Sequence, residues 1–366
     1  MGEDGRATFT TSMRTGVRIL VAGGYGVFGR LLAAELLDTT DARLVLAGRN
    51  RRQAERAAAE LGSERTEAIE LDLRDVESVA RAAEGCFAIA CAAGPFQGLA
   101  RDLPLAAIRS GAHWLDIADD PGWVLSALGD EDLGEASANA GLVVAPGLST
   151  VPAVSGVLAR WCVERLDDPH DAHVTLFIGN RNRKGAGATA SALIAGFRDP
   201  SPVDLPFGRR VAYRFPTPDT ELFRRDLGIR AEFRVALEWG SLGRMAAALG
   251  RATAGIGTEG QIRLARALST LSEPFARFGT ELGCVQVELH NEAGSIAATA
   301  LAGQRLVVLP CALAVRALLS GEFDGAGSLH PAAWLPHDEY IARLRSRRVR
   351  FLARERRGSR SAGSPP

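Results

Sequence analysis

Along the first 150 residues, short unbroken apolar runs alternate with segments of helical apolar spacing. Residues 17–22 form the first run, and 30–37 carry apolar side chains at helical intervals. A second run at 44–47 precedes an alanine-rich helix over 51–61, which Gly62 stops. Runs at 69–71 and 87–92 flank a helix that Asp75 would cap and Gly85 would end. The rhythm continues through 105–109, 114–117, 131–139 and 142–145. Apolar runs without polar alternation need cover on both faces. They predict an α/β architecture, a Rossmann-type doubly wound parallel sheet.

The pattern changes after Pro152. Ile229, Ala231, Phe233, Val235, Leu237 and Trp239 alternate with Arg230, Glu232, Arg234, Ala236 and Glu238. A period of two implies one wet and one dry face, as in an antiparallel sheet. Residues 284–290 alternate likewise, and a turn at 291–294 leads into 296–301, which predicts a hairpin. Helical stretches fall at 153–165, 189–197 and 261–278, the last interrupted by Pro274. The expected organisation is a flexible leader at 1–15 and a Rossmann domain at 16–150, joined by a returning segment at 305–352. A second α+β domain at 151–304, with a largely antiparallel sheet, would serve substrate binding or oligomerisation. Residues 353–366 lack apolar anchors and are expected to be a disordered tail.

Composition narrows the function. Forty-three basic and 43 acidic side chains cancel, so no net field recruits nucleic acid or anionic lipid. Five cysteines form no CxxC pair and read as reduced thiols. The first fifteen residues hold no apolar signal core, and the apolar stretch at 306–315 stops at Arg316, short of a bilayer span. A cytoplasmic protein acting on a small-molecule substrate is expected, with no nucleic acid and no membrane as partner. The strand at 229–239 could bury its dry face on helices or against a second copy, which leaves open a homodimer through the second domain.

The strongest chemical signal is VRILVAGGYGVFG, in which Gly24, Gly26 and Gly29 make G-x-G-x-x-G between a strand and a helix. Gly24 would permit the tight turn, Gly26 the approach of a pyrophosphate, and Gly29 close helix–strand packing. Tyr25, Val27 and Phe28 complete the loop, and the helix N-terminus offers N–H groups and a positive dipole end. After the second strand, LAGRN places Arg49 where an NAD site would carry a carboxylate, followed by Asn50 and Arg51. A guanidinium there favours a 2′-phosphate, so NADP(H) is the expected cofactor. Asp72, ending the third strand, would reach the adenine or cap the next helix.

Further strand ends carry Gly94-Pro95-Phe96, then Asp116, Asp119 and Asp120 in HWLDIADD, then Gly147, Ser149 and Thr150. All face the crevice where open parallel sheets bind ligands. Gly94 and Pro95 would line the nicotinamide ribose. In the second domain, RNRKGAGAT presents Arg181, Arg183 and Lys184, the only lysine in the chain, as a potential carboxylate grip. The catalytic candidates are Asp116, Asp119 and Lys184. The scattered histidines and cysteines show no metal-ligand spacing, so no metal is expected. Tyr25, Tyr213 and Tyr340 lack a lysine four residues on, which argues against short-chain dehydrogenase chemistry.

The combined run GGYGVFG, LAGR, AAGPF, GAHWLDIADD and APGLSTVP resembles the saccharopine dehydrogenase-like NADP-binding family, which includes saccharopine reductase. The resemblance implies a Rossmann domain, an inserted α+β domain and a chain end returning to the first. It places Gly24, Gly26, Gly29, Arg49, Gly94 and Pro95 on cofactor-binding positions. The family's aromatic-Asp pair after the sixth strand is replaced here by Leu148 and Ser149. The implied activity is NADP(H)-dependent hydride transfer at a C–N (imine or amine) bond, which needs positioning more than a strong acid. The alternatives are reduction of a C=C or C=O bond on the same scaffold, or a non-catalytic NADP(H) sensor.

Overall fold

A computed structural model describes residues 16–183, 186–253, 255–272 and 278–357. The first domain runs β1 (Arg18–Ala22), α1 (Val27–Thr39), β2 (Arg43–Gly48), α2 (Arg51–Leu61), β3 (Thr66–Glu70) and α3 (Val76–Ala83). It continues through β4 (Cys86–Cys91), α4 (Leu103–Arg109), β5 (His113–Asp116), α5 (Pro121–Gly129), α6 (Glu131–Asn139) and β6 (Val143–Ala145). Helix ends follow local chemistry. Asn50, Asp75, Asp120 and Asp130 accept N-terminal N–H groups of α2, α3, α5 and α6, and Gly62 closes α2 at φ +63°.

The second domain opens with a π-turn at Thr150–Val154 where sequence spacing predicts a helix from 153. It continues with α7 (Ser155–Val163), β7 (Asp171–Ile178), α8 (Ala186–Ala195), β8 (Arg198–Leu205), β9 (Gly208–Arg214) and α9 (Asp219–Leu227). Then come β10 (Arg230–Leu237), α10 (Gly240–Ala252), α11 (Thr258–Ser272), β11 (Gly283–Asn291) and β12 (Gly294–Leu301). The chain returns to the first domain through α12 (Leu309–Ser320), β13 (Gly327–Ser328) and α13 (His337–Ser346), and ends as β14 (Arg350–Arg357).

Two seven-stranded sheets result. The first, β13-β6-β5-β4-β1-β2-β3, is parallel throughout; the strand order reverses beside β1. The second, β14-β12-β11-β7-β10-β9-β8, is antiparallel except for β10 beside β7. The expected hairpin is present, with Asn291 opposite Gly294. The chain from Arg354, expected as tail, continues as strand to Arg357 along β12. An edge strand held by main-chain hydrogen bonds needs few apolar anchors, and charge is usual on such an edge. Arg356 pairs with Asp204 of β8, at the opposite edge of the same sheet, at 3.2 Å.

One apolar cluster runs from the first sheet through α12 and α7 into the second, so the domains share a core. A second cluster, with Trp114 and Trp123, fills the other face of the first sheet. The buried carboxylate of Glu35 on α1 accepts from Arg305 and Arg347, fastening the returning segment. Among the described residues no helix is long and apolar enough to cross a membrane.

Candidate active site

The carboxyl ends of the parallel strands open into a cleft of about 950 Å³ that the second domain walls on its far side. At its first end the chain turns sharply after β1. Gly23 and Gly24 both donate to Ala47 O, and Gly26 donates to Gly23 O at 2.9 Å. The left-handed residue is Gly23, at φ +77°, and not Gly24 as the glycine motif alone suggests. A Cβ at Gly23 would lie 2.8 Å from Ala93 Cα, and one at Gly29 only 2.1 Å from Gly23 O. The loop is therefore a cradle that side chains would fill. No side chain caps α1 at Gly26, so its first N–H groups stay free for an anion. These features fit a dinucleotide pyrophosphate. Tyr25, Gly26, Val27 and Phe28 line the cleft, and Gly24 and Gly29 shape the turn behind them.

At the adenosine end, Arg49 is exposed and lines the cleft. Asn50 and Arg51 do not. Asn50 spends its side chain capping α2, and Arg51 pairs with Glu55 at 2.9 Å. Asp72 lines the cleft but neither caps α3, which Asp75 does, nor stands free. Its carboxylate accepts from Arg74 Nε at 3.0 Å, and the Arg74 hydrogen bonds hold it below the ordinary aspartate range. Arg74, though exposed, lines the same cleft; sequence reasoning missed it because nothing in LDLR marks that arginine as bordering the cleft.

Toward the middle, Gly94, Pro95 and Phe96 line the cleft beside Ile117, Asp119, Ser149 and Thr150. Asp116 at the end of β5 and Asp119 three residues beyond it have opposite fates. Asp116 is fully buried, and its two oxygens accept from four donors: Trp114 Nε1, Trp123 Nε1, Ala118 N and Gly147 N. It does not line the cleft. Burial pushes its carboxyl up while the four N–H groups pull it down. Its geometry is that of a strut between β5, α5 and the exit of β6, which removes it from the catalytic candidates. Asp119 is exposed to the cleft; desolvation by the cleft walls, and then the charge of Asp120, push its carboxyl up to about 6. Such a group changes protonation near neutral pH.

The facing wall comes from the second domain. Leu176, Ile178, Leu306 and Val307 supply apolar surface, and Asn182 and Arg183 supply polarity. Arg183 is set in place through its backbone: its N–H donates to Gln304 Oε1 at 3.2 Å, and its carbonyl accepts from Gln304 Nε2. Arg181 turns away to Glu281 at 3.3 Å. Lys184 lies outside the described residues. Glu259 and Arg263 of α11, paired at 2.9 Å, overhang the adenosine end. The metal-capable grouping among the described residues is Glu164, His337 and Asp338, none of which lines the cleft.

Comparison with known proteins agrees with this geometry. Residues 19–140 match the model of the saccharopine dehydrogenase NADP binding domain, which makes NADP the cofactor of the first domain. The fold of apo histidine-tagged saccharopine dehydrogenase (L-Glu forming) from Saccharomyces cerevisiae is similar, at 14% identity and a TM-score of 0.63 over 94% of this chain and 100% of that one. An oxidoreductase from Sinorhizobium meliloti is 15% identical over 92% of this chain and 89% of its own, with a TM-score of 0.39. No curated protein matches the sequence.

Proposed function

Starting from a first domain whose residues 19–140 match the saccharopine dehydrogenase NADP binding domain, we propose that the chain is an NADP(H)-dependent oxidoreductase acting at a C–N bond of a small substrate. The observation that carries the reading is Asp119. Its carboxylate opens into the cleft between the glycine cradle and the second-domain wall, with a proton affinity near neutrality. The cofactor supplies or accepts the hydride. The chain's own residues position the partners, hold charge and keep water out.

Above about pH 6 the Asp119 carboxylate is ionised and stabilises a cationic carbon–nitrogen centre; near pH 6 it also accepts or returns a proton. Arg183, its backbone fixed by Gln304, offers a guanidinium for an anionic group of the substrate. Leu176, Ile178 and Leu306 line the same wall with apolar surface that limits water.

A screen of NADPH oxidation against pooled amine and carbonyl mixtures tests the reading. Oxidation that needs both amine and carbonyl supports it. Oxidation with a ketone or enoyl compound alone replaces C–N chemistry with C=O or C=C reduction. Tight NADPH binding with no turnover of any pool makes the protein a sensor instead.

A further inference from the structure

The cleft holds more cationic groups at its adenosine end than a single selecting arginine requires, and they come from both domains. Strands β2 and β3 are neighbours, and Leu71 N donates to Gly48 O at 3.0 Å. Arg49 therefore follows β2 opposite Leu71, one residue short of Asp72, and its charge helps lower the Asp72 carboxyl. Asp72 grips the Nε edge of Arg74, at 3.0 and 3.1 Å, and also accepts the Arg74 backbone N–H at 3.1 Å. Asp72 also takes Nη2, so among the described residues Nη1 of the guanidinium has no hydrogen-bond partner. From the other side, α11 brings Glu259 and Arg263 to the same cleft. Glu259 pairs with Arg263 at 2.9 Å, and after Asp72 its charge also helps hold Arg74 above the ordinary arginine value. An acidic side chain thus sits among the arginines of the two domains.

We propose that Arg49, Arg74 and Arg263 form a clamp for the 2′-phosphate of NADP(H), closed by α11 from the second domain. Glu259 is the anion that the phosphate replaces, and Asp72 is a positioning residue that aims Arg74. The inference rests on the NADP-binding reading of the first domain and extends cofactor selection to the second. A dianionic phosphate bound by arginine forks gains charge-assisted, bidentate hydrogen bonds that a ribose hydroxyl does not. Glu259 opposes any anion in its place, so its charge sets how tightly the phosphate is held.

The test uses the full chain and calorimetric titration with NADP⁺, 2′,5′-ADP and 5′-AMP. Arg74→Gln and Arg263→Gln are each expected to weaken 2′,5′-ADP binding by about tenfold or more, as for loss of one charge-assisted contact, and to leave 5′-AMP within about twofold. Glu259→Gln is expected to tighten 2′,5′-ADP and leave 5′-AMP unchanged. Hydrogen exchange of α11 amides should slow on addition of NADP⁺ but not of NAD⁺. Arg49→Asp serves as the reference, weakening NADPH far more than NADH. If Arg49→Asp abolishes the phosphate preference while Arg263→Gln and the α11 exchange are unaffected, the inter-domain clamp is overturned and cofactor selection belongs to the first domain alone. If the wild-type chain binds neither NADP⁺ nor 2′,5′-ADP, the dinucleotide reading itself falls, and the clamp with it. Melting temperature and circular dichroism of each variant separate lost binding from lost fold.

Discussion

Trp123 donates its indole N–H to Asp116 at 2.8 Å, reaching from α5 to a carboxylate with no exposed surface. Trp114 donates to the same oxygen at 2.9 Å, and the other oxygen takes two backbone N–H groups. Removing the carboxylate leaves four buried donors without an acceptor, each costing roughly 1–3 kcal/mol. Asp116→Ala should therefore lower stability by about 3 kcal/mol or more, read by denaturant melts. Turnover per folded molecule should stay near wild type. A variant that folds normally but is catalytically dead would return Asp116 to the chemistry.

Gly29 faces the opposite test, of space and not of charge. An added methyl group would stand 2.1 Å from the Gly23 carbonyl oxygen, and that oxygen belongs to backbone locked by Gly26 N. Gly29→Ala should push α1 off the turn, at a cost of about 1–3 kcal/mol, and abolish NADP⁺ binding in calorimetry. Undiminished binding would mean that the cradle is not the pyrophosphate seat.

Asp119 sets a pH limb. Its carboxyl titrates near 6, so the ionised form that stabilises a cationic substrate is present above that pH and lost below it. The profile of kcat/KM should fall as pH drops through about 6, and Asp119→Asn should flatten that limb. The same variant should lower turnover by roughly 10²–10⁴-fold, the ordinary range for acid–base assistance. An acid limb that survives in Asp119→Asn assigns the titration to another group.

Asp219 gives stability its own pH dependence. It is fully buried on α9, accepts from Ser155 Oγ at 3.0 Å, and burial raises its carboxyl to about 7. The folded state thus binds this proton more tightly than the unfolded state. The contribution is complete below the ordinary aspartate value near 4, shrinks as pH rises, and is gone above about 7. The span is on the order of 4 kcal/mol. Chemical melts between pH 4 and 8 should show this decline in the wild type and a much flatter course in Asp219→Asn. Parallel declines in both proteins would place the titration elsewhere.

Much of the first domain could be read from the chain because its signals are local. Unbroken apolar runs mark doubly covered strands, and α2 starts and stops where Asn50 and Gly62 direct. Arg49 was legible because its distance from the glycine turn is set by one helix and one strand. Asp116 and Asp119 were not separable, since three residues of spacing say nothing about which carboxyl meets two indoles and which meets solvent. Gly23 escaped notice because the glycine motif counts from the next residue, while the backbone places its left-handed turn one position earlier. The closing strand was hidden by its own arginines: pairing with β12 and the Arg356–Asp204 bridge are long-range facts without a local pattern.

The route of the chain carries a consequence for biosynthesis. Strand β13 completes the edge of the parallel sheet and β14 that of the mixed one, so each sheet receives its final strand from the last described stretch, after Gly327. While a ribosome still holds that stretch, both halves present an unfinished border to the cell. Chain order brings the parallel sheet its last strand at Gly327–Ser328 before the mixed sheet receives its own at Arg350–Arg357.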